Sequence, residues 1–221
     1  MATVTDIRRS GPAFRRRTIV LDGDGWRDIP AGLLPLIALE VSDEVDIEEL
    51  EERIGAAEPG LARERAVRLI TAKERSRAGL VDRLVQDGFS RPVADSTADD
   101  LVRIGLVDDE RFADALARTL SRVRGAGRAR IARELQDAGV AEDVASEALE
   151  DALDPEQEWE AASRLAQSAA ARPGATIDRV AARLVRRGYR SAVALAAARE
   201  ALEAEGKASD GSGDGAEAGD D

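Results

Sequence analysis

Residues 105–139 read GLVDDERFADALARTLSRVRGAGRARIARELQDAG. The stretch holds a glycine stop at Gly105, a helix start at Asp108, an Arg- and Gly-rich turn around Gly125 and Gly127, a second helix, and a second stop at Gly139. Asp108 follows Gly105-Leu106-Val107, so its carboxylate is placed to accept from the free N–H groups of the first helical turn. Asp109 and Glu110 then stand at the positive end of the helix dipole. Val107 and Phe112 occupy the N′ and N4 positions of a hydrophobic staple. Adjacent carboxylates also serve as metal ligands or proton carriers, but capping accounts for every residue of the motif, so the pair is read as helix grammar.

Copies of this unit lie on both sides. RAGLVDRLVQDGF ends at Phe89, RARIARELQDAGV at Val140 and IDRVAARLVRRGY at Tyr189, with Gly88, Gly139 and Gly188 spaced 51 and 49 residues apart. An apolar residue stands four and eight positions before each glycine: Leu84 and Leu80, Leu135 and Ile131, Leu184 and Val180. That spacing puts both side chains on one helical face, and the glycine supplies a left-handed stop. A helix beginning near Leu61, Asp109 and Pro155 precedes each copy, and another follows it over residues 91–103, 141–152 and 191–204. Asp154-Pro155-Glu156-Gln157 repeats the capping device, with Pro at N1 and Gln at N3. Three tandem three-helix repeats are therefore expected, over residues 61–105, 106–153 and 154–204.

Outside the repeats the chain changes character. Residues 1–17 carry Arg8, Arg9, Arg15, Arg16 and Arg17 without periodicity and read as a disordered basic arm. Residues 18–60 read as a β-hairpin around Asp22-Gly23-Asp24-Gly25, packed on the apolar stretch 33–41. A helix capped at Asp46 follows, expected to end near Ala57 before Pro59-Gly60. Residues 205–221 read as a disordered acidic tail. The fold class is mainly α, three tandem three-helix repeats in a curved array behind a small β-hairpin-containing extension.

Composition narrows the chemistry. The chain has 221 residues, six of them aromatic, and neither cysteine nor histidine. Disulfides, Cys/His zinc sites and His-based catalysis are excluded by absence. Only Lys73 and Lys207 are lysines and no G-x-x-x-x-G-K-[ST] occurs, so there is no P-loop. We expect no enzyme activity, no cofactor, no metal and no catalytic residue. The N-terminus has no apolar core of a signal peptide, and no apolar run approaches the roughly 20 residues of a membrane span. A cytoplasmic monomer is expected.

The formal charge of -12 is unevenly spread. Residues 1–60 and 201–221 each carry a net of -6, and the 140 residues between them are neutral. Arginines cluster there: Arg122, Arg124, Arg128, Arg130 and Arg133 around Gly125 and Gly127; Arg183, Arg186, Arg187 and Arg190 around Gly188; Arg75, Arg77 and Arg83 in the first repeat. Such charges are commonly solvated helix faces paired with nearby acids. Arginine gathered at a turn also suits planar anions, a carboxylate-bearing protein groove or a phosphate backbone. These twelve are the candidate partner-binding residues.

Gly105-Leu106-Val107-Asp108-Asp109-Glu110-Arg111-Phe112-Ala113 is similar to the G-x-[LIV]-D-D-x-x-[FY]-A signature of the RecX family. Gly127, Ile131, Leu135 and Gly139 continue it. Arg75-Ser76-Arg77 with Leu80, Leu84, Gly88 and Phe89 resembles the family's first-repeat pattern, although Gly79 and Arg83 stand where that pattern usually has Glu and Lys. The third repeat matches through Leu184, Arg186, Arg187, Gly188 and Tyr189. The resemblance implies a nine-helix curved protein lying in the groove of the RecA–DNA filament. There it would modulate the ATPase, strand exchange and coprotease of RecA in recombination, DNA repair and the SOS response. A weak direct contact with DNA is compatible with the same charges. Two other readings remain open from the residues: an autonomous helix-turn-helix-like DNA-binding protein and a helical-repeat scaffold for another partner.

Overall fold

The computed structural model describes residues 1–210. The chain divides into two compact units, Met1–Phe112 and a second beginning at Ala113.

In the first unit β1 (Ala2–Ser10), β2 (Arg16–Leu21), β3 (Asp24–Pro30) and β4 (Glu44–Val45) form an antiparallel sheet ordered β3-β2-β1-β4. Asp22 (φ 51°) and Gly23 (φ 95°) are both left-handed, the pair of conformations that a two-residue hairpin turn needs. Val4, Ile19, Leu21 and Ile29 share one core with Leu33, Ile37 and Leu39 of the following segment, which includes α1 (Leu34–Ile37). Leu50 and Ile54 of α2 (Ile47–Ala72) complete it. Asp46 caps α2 by accepting from the N–H groups of Glu48 and Glu49 at 2.9 and 3.3 Å.

Two expectations for this region are corrected. Residues 1–17 are not a disordered arm, because Ala2–Ser10 is strand β1, paired to both β2 and β4. Its alternation was hidden by a register shift between Val4 and Asp6, which moves the apolar phase by one residue. Nor does the helix end before Pro59-Gly60, since α2 runs unbroken through both. Proline in a helix interior costs about 3 kcal/mol. Here Leu50 and Ile54 anchor the helix in the sheet core while Ala62, Ala66 and Leu69 anchor it in the next one. Burying several such side chains, at up to about 1.5–3 kcal/mol for the large ones, outweighs that cost.

The second half of α2, α3 (Arg77–Gln86) and α4 (Arg91–Arg103) pack together around Leu69, Leu80, Leu84, Phe89 and Leu101. The same order recurs as α5 (Asp109–Arg118), α6 (Arg128–Asp137) and α7 (Glu142–Ala152), then as α8 (Pro155–Ala170), α9 (Ile177–Arg186) and α10 (Ser191–Asp210). Leu80 and Leu84, Ile131 and Leu135, Val180 and Leu184 are all buried, as are Phe89, Val140 and Tyr189 just past the glycines. Gly88, Gly105, Gly139 and Gly188 have φ of +101°, +73°, +71° and +94°. In the second unit α8, α9 and α10 close a core of Val180, Leu184, Tyr189 and the alanines of α8 and α10.

Helix α10 continues to Asp210, so residues 205–210 belong to it and not to a disordered tail. Its leucine and alanine run leads into Glu203, Ala204 and Glu205, good helix formers, and the helix passes through Gly206. The remainder of the expected tail, 211–221, lies outside the described residues. Among the described residues no helix is long and apolar enough to cross a membrane.

Candidate partner-binding surface

Helix α5 passes into a π-helical turn over Thr119–Val123 before the chain reaches Arg124 and Gly125 (φ +57°). Four hydrogen bonds seat this Arg-Gly turn on the turn between α9 and α10. The Gly127 N–H donates to the Arg187 carbonyl at 2.9 Å and the Ala129 N–H to the Gly188 carbonyl at 3.0 Å. Arg187 Nη1 donates to the Arg124 carbonyl at 2.9 Å, and Tyr189 Oη to the Gly125 carbonyl at 3.2 Å. Burial, helped by the negative charge of Glu158, pushes the Tyr189 phenol above its ordinary value, so it stays a donor.

That seating leaves Arg122 and Arg124 exposed, with no carboxylate within ion-pair distance among the described residues. With Arg187 and Arg164 they line an open depression of about 370 Å³ whose other walls include Gln157 and Leu165. Arg164, which sequence reading missed, is held 3.6 Å from Glu160, an ordinary i, i+4 pair on α8. Guanidinium groups gathered this way present forked N–H donors to a carboxylate or phosphate.

The other candidate arginines have different assignments. Arg128 donates to the Leu153 carbonyl at 2.7 Å and, with Arg190, faces buried Glu158 at 4.0 and 3.3 Å. Arg130 is 3.7 Å from Glu134. In the first repeat Arg83 lies 3.1 Å from buried Asp87, which also meets Arg65 at 2.7 Å and Arg15 at 3.7 Å. Arg77 is shared between Asp99 (2.7 Å) and Asp95 (3.4 Å); the Asp99 hydrogen bond raises the Arg77 pKa and lowers that of Asp99. Arg77, Arg83, Arg128, Arg130 and Arg190 thus already hold intramolecular partners, whereas Arg133 and Arg186 are exposed without an ion pair among the described residues. Arg183 lines a smaller depression with Arg172 and Arg179, about 190 Å³. Arg75 is half-buried on the first unit beside Leu106 and Arg111.

The twelve arginines are therefore several separate groups, each with its own surroundings. Nothing in the one-dimensional spacing distinguishes Arg124 from Arg128, because the difference lies in Glu158, thirty residues away from the latter. Asp108 caps α5, accepting the Arg111 N–H at 2.9 Å. Asp109 does more than meet its own helix dipole, for its Oδ1 accepts the backbone N–H of Arg77 at 2.7 Å, at the start of α3.

Comparison with known proteins bears on the family and the fold. The family model for the first three-helix domain of RecX matches residues 62–101, and that for the second three-helix domain of RecX matches residues 108–149. A regulatory protein RecX of Mycobacterium sp. (strain KMS) is 38% identical over 138 residues, covering 58% of this chain and 75% of that protein. One from Thermobifida fusca (strain YX) is 38% identical over 158 residues, covering 68% and 85%. Among solved structures, a crystal structure of regulatory protein RecX superposes with a TM-score of 0.60 at 22% identity, over 92% of this chain and all of the other. The structure of RecX from Lactobacillus salivarius gives 0.60 at 19% identity over 67% of this chain. At these identities the two structures speak for the fold.

Proposed function

The chain belongs to the RecX family of regulatory proteins, and from that premise we propose that it is a non-enzymatic cytoplasmic regulator of the RecA recombinase. It binds RecA or the RecA–DNA filament and modulates, mostly by inhibition, the ATPase, strand exchange and coprotease that serve recombination and the SOS response. The observation that supports a docking role for the second unit is the Arg-Gly turn. Arg122 and Arg124 stand exposed, without a counter-ion among the described residues, on a turn that four hydrogen bonds hold in place. A pre-ordered turn loses little conformational freedom on binding.

The test is the single-strand-dependent ATPase of RecA with this protein added well below the RecA concentration. A lowered rate, with co-sedimentation on RecA filaments, is the expected result. An unchanged rate without co-sedimentation would refute the proposal. Duplex DNA alone is the control: tight binding that falls steeply with salt would favour the autonomous DNA-binding reading.

A further inference from the structure

The family-like motif at residues 105–113 does not spend all its side chains on helix capping. Leu106 is 49% exposed, and Val67 on the neighbouring face of α2 is 39% exposed. With Ile70 they form the aliphatic wall of a depression of about 370 Å³ on the first unit, rimmed by Glu74, Arg75 and Arg111. Within that rim the charges are unequally matched. Glu74 accepts from Arg111 Nε at 2.8 Å, and Asp108 lies 3.6 Å from Arg111 Nη1, so both nearby carboxylates are engaged by Arg111. Arg75 has no ion-pair partner among the described residues, and its Nε is buried without an acceptor.

We propose that this depression is a second docking site, taking a protein segment that presents an aliphatic side chain beside a carboxylate. The aliphatic residue covers Val67, Ile70 and Leu106 while the carboxylate accepts from Arg75. Because Glu74 and Asp108 are held by Arg111, an incoming carboxylate meets the guanidinium of Arg75 at the rim without a competing acid among the described residues, and removing exposed Leu and Val from water adds to the affinity. A protein segment is favoured over nucleic acid because the wall is aliphatic and offers no aromatic ring on which a base would stack. The proposal rests on the RecA-binding reading, in that the segment is one on RecA itself, and it adds a contact on the first unit to the one at the Arg-Gly turn.

Co-sedimentation with RecA filaments on single-stranded DNA tests it, using the full chain, Leu106→Glu, Arg75→Glu and Arg75→Lys. The two Glu variants are expected to weaken binding by about tenfold or more, and Arg75→Lys by less; Leu106→Glu, at a side chain 49% exposed, is expected to leave the thermal midpoint unchanged and so separates lost contact from lost fold. Glu variants that sediment like the parent protein would overturn this site while leaving the function intact. A parent protein that fails to sediment at all would overturn both. Binding to naked single-stranded DNA is expected to be equal across the four proteins; a parallel loss there would assign the depression to phosphate and overturn the proposal as well.

Discussion

Gly127 and Gly188 meet backbone to backbone. A Cβ on Gly127 would stand 2.5 Å from the Gly188 carbonyl carbon, and a Cβ on Gly188 would stand 2.5 Å from Arg130 Cβ. This contact lets the Gly127 and Ala129 N–H groups reach the carbonyls of Arg187 and Gly188, and so joins the second repeat to the third.

Alanine at either position is accordingly expected to destabilise the protein. The forced separation costs about 1–3 kcal/mol, and Gly188→Ala adds the strain of a side chain at positive φ, roughly 1–2 kcal/mol. Gly60→Ala is the informative contrast: it lies inside α2 with nothing within 4 Å of its added Cβ. It should gain about 0.5–1 kcal/mol by helix propensity alone. Urea unfolding followed by circular dichroism measures all three, and a neutral Gly127→Ala would remove the backbone contact from the account.

The two adjacent aspartates should separate by what each caps. Asp108→Ala removes the N-cap of α5 and is expected to cost about 0.5–2 kcal/mol. Asp109→Ala removes the acceptor from the Arg77 N–H at the start of α3, with a cost of similar size, while Asp109→Asn keeps an acceptor and should cost less. If Asp109→Ala were as stable as the parent protein in the same unfolding measurement, the tie between α5 and α3 would have no energetic content.

The three-helix periodicity was legible because it rests on local chemistry: apolar pairs four residues apart, glycines at left-handed stops and carboxylate caps all act within one or two turns. The hairpin was legible for the same reason, through Asp22-Gly23. Strand β1 was not, since its partners lie at residues 16–21 and 44–45 and its alternation breaks at a bulge. The passage of α2 through Pro59 depends on two cores that no local window contains. The sorting of arginines is likewise non-local: Asp87 collects Arg65 from α2, Arg83 from α3 and Arg15 from the connection before β2, and Glu158 faces Arg128 and Arg190.

That sorting sets the arginine variants apart. Arg122→Ala with Arg124→Ala is expected to weaken filament binding while leaving stability within about 0.5 kcal/mol, as for surface positions without partners. Arg128→Ala withdraws one of two cations from buried Glu158 and a hydrogen bond from the Leu153 carbonyl. It should therefore cost about 1–3 kcal/mol of stability. Arg130, paired within α6 to Glu134, should cost only a few tenths. A stable Arg128→Ala protein that had lost filament binding would place Arg128 at the contact instead.

Tyr189 offers a direct readout of the turn, since it is the single tyrosine of the chain. Burial, and then the charge of Glu158, hold its pKa above the ordinary value near 10. The group's folded pKa exceeds its unfolded one, so its contribution to stability is fully present below about pH 10 and is lost as pH rises through the folded value. Ultraviolet titration of the phenolate band should give one midpoint above about 10 in the native protein and near 10 in urea. Tyr189→Phe should abolish the signal and, by leaving the Gly125 carbonyl without this donor, cost about 0.5–1.5 kcal/mol. A native midpoint at or below the urea value would mean that the phenol is not buried against Glu158, and would remove the Tyr189 hydrogen bond from the seating of the Arg-Gly turn.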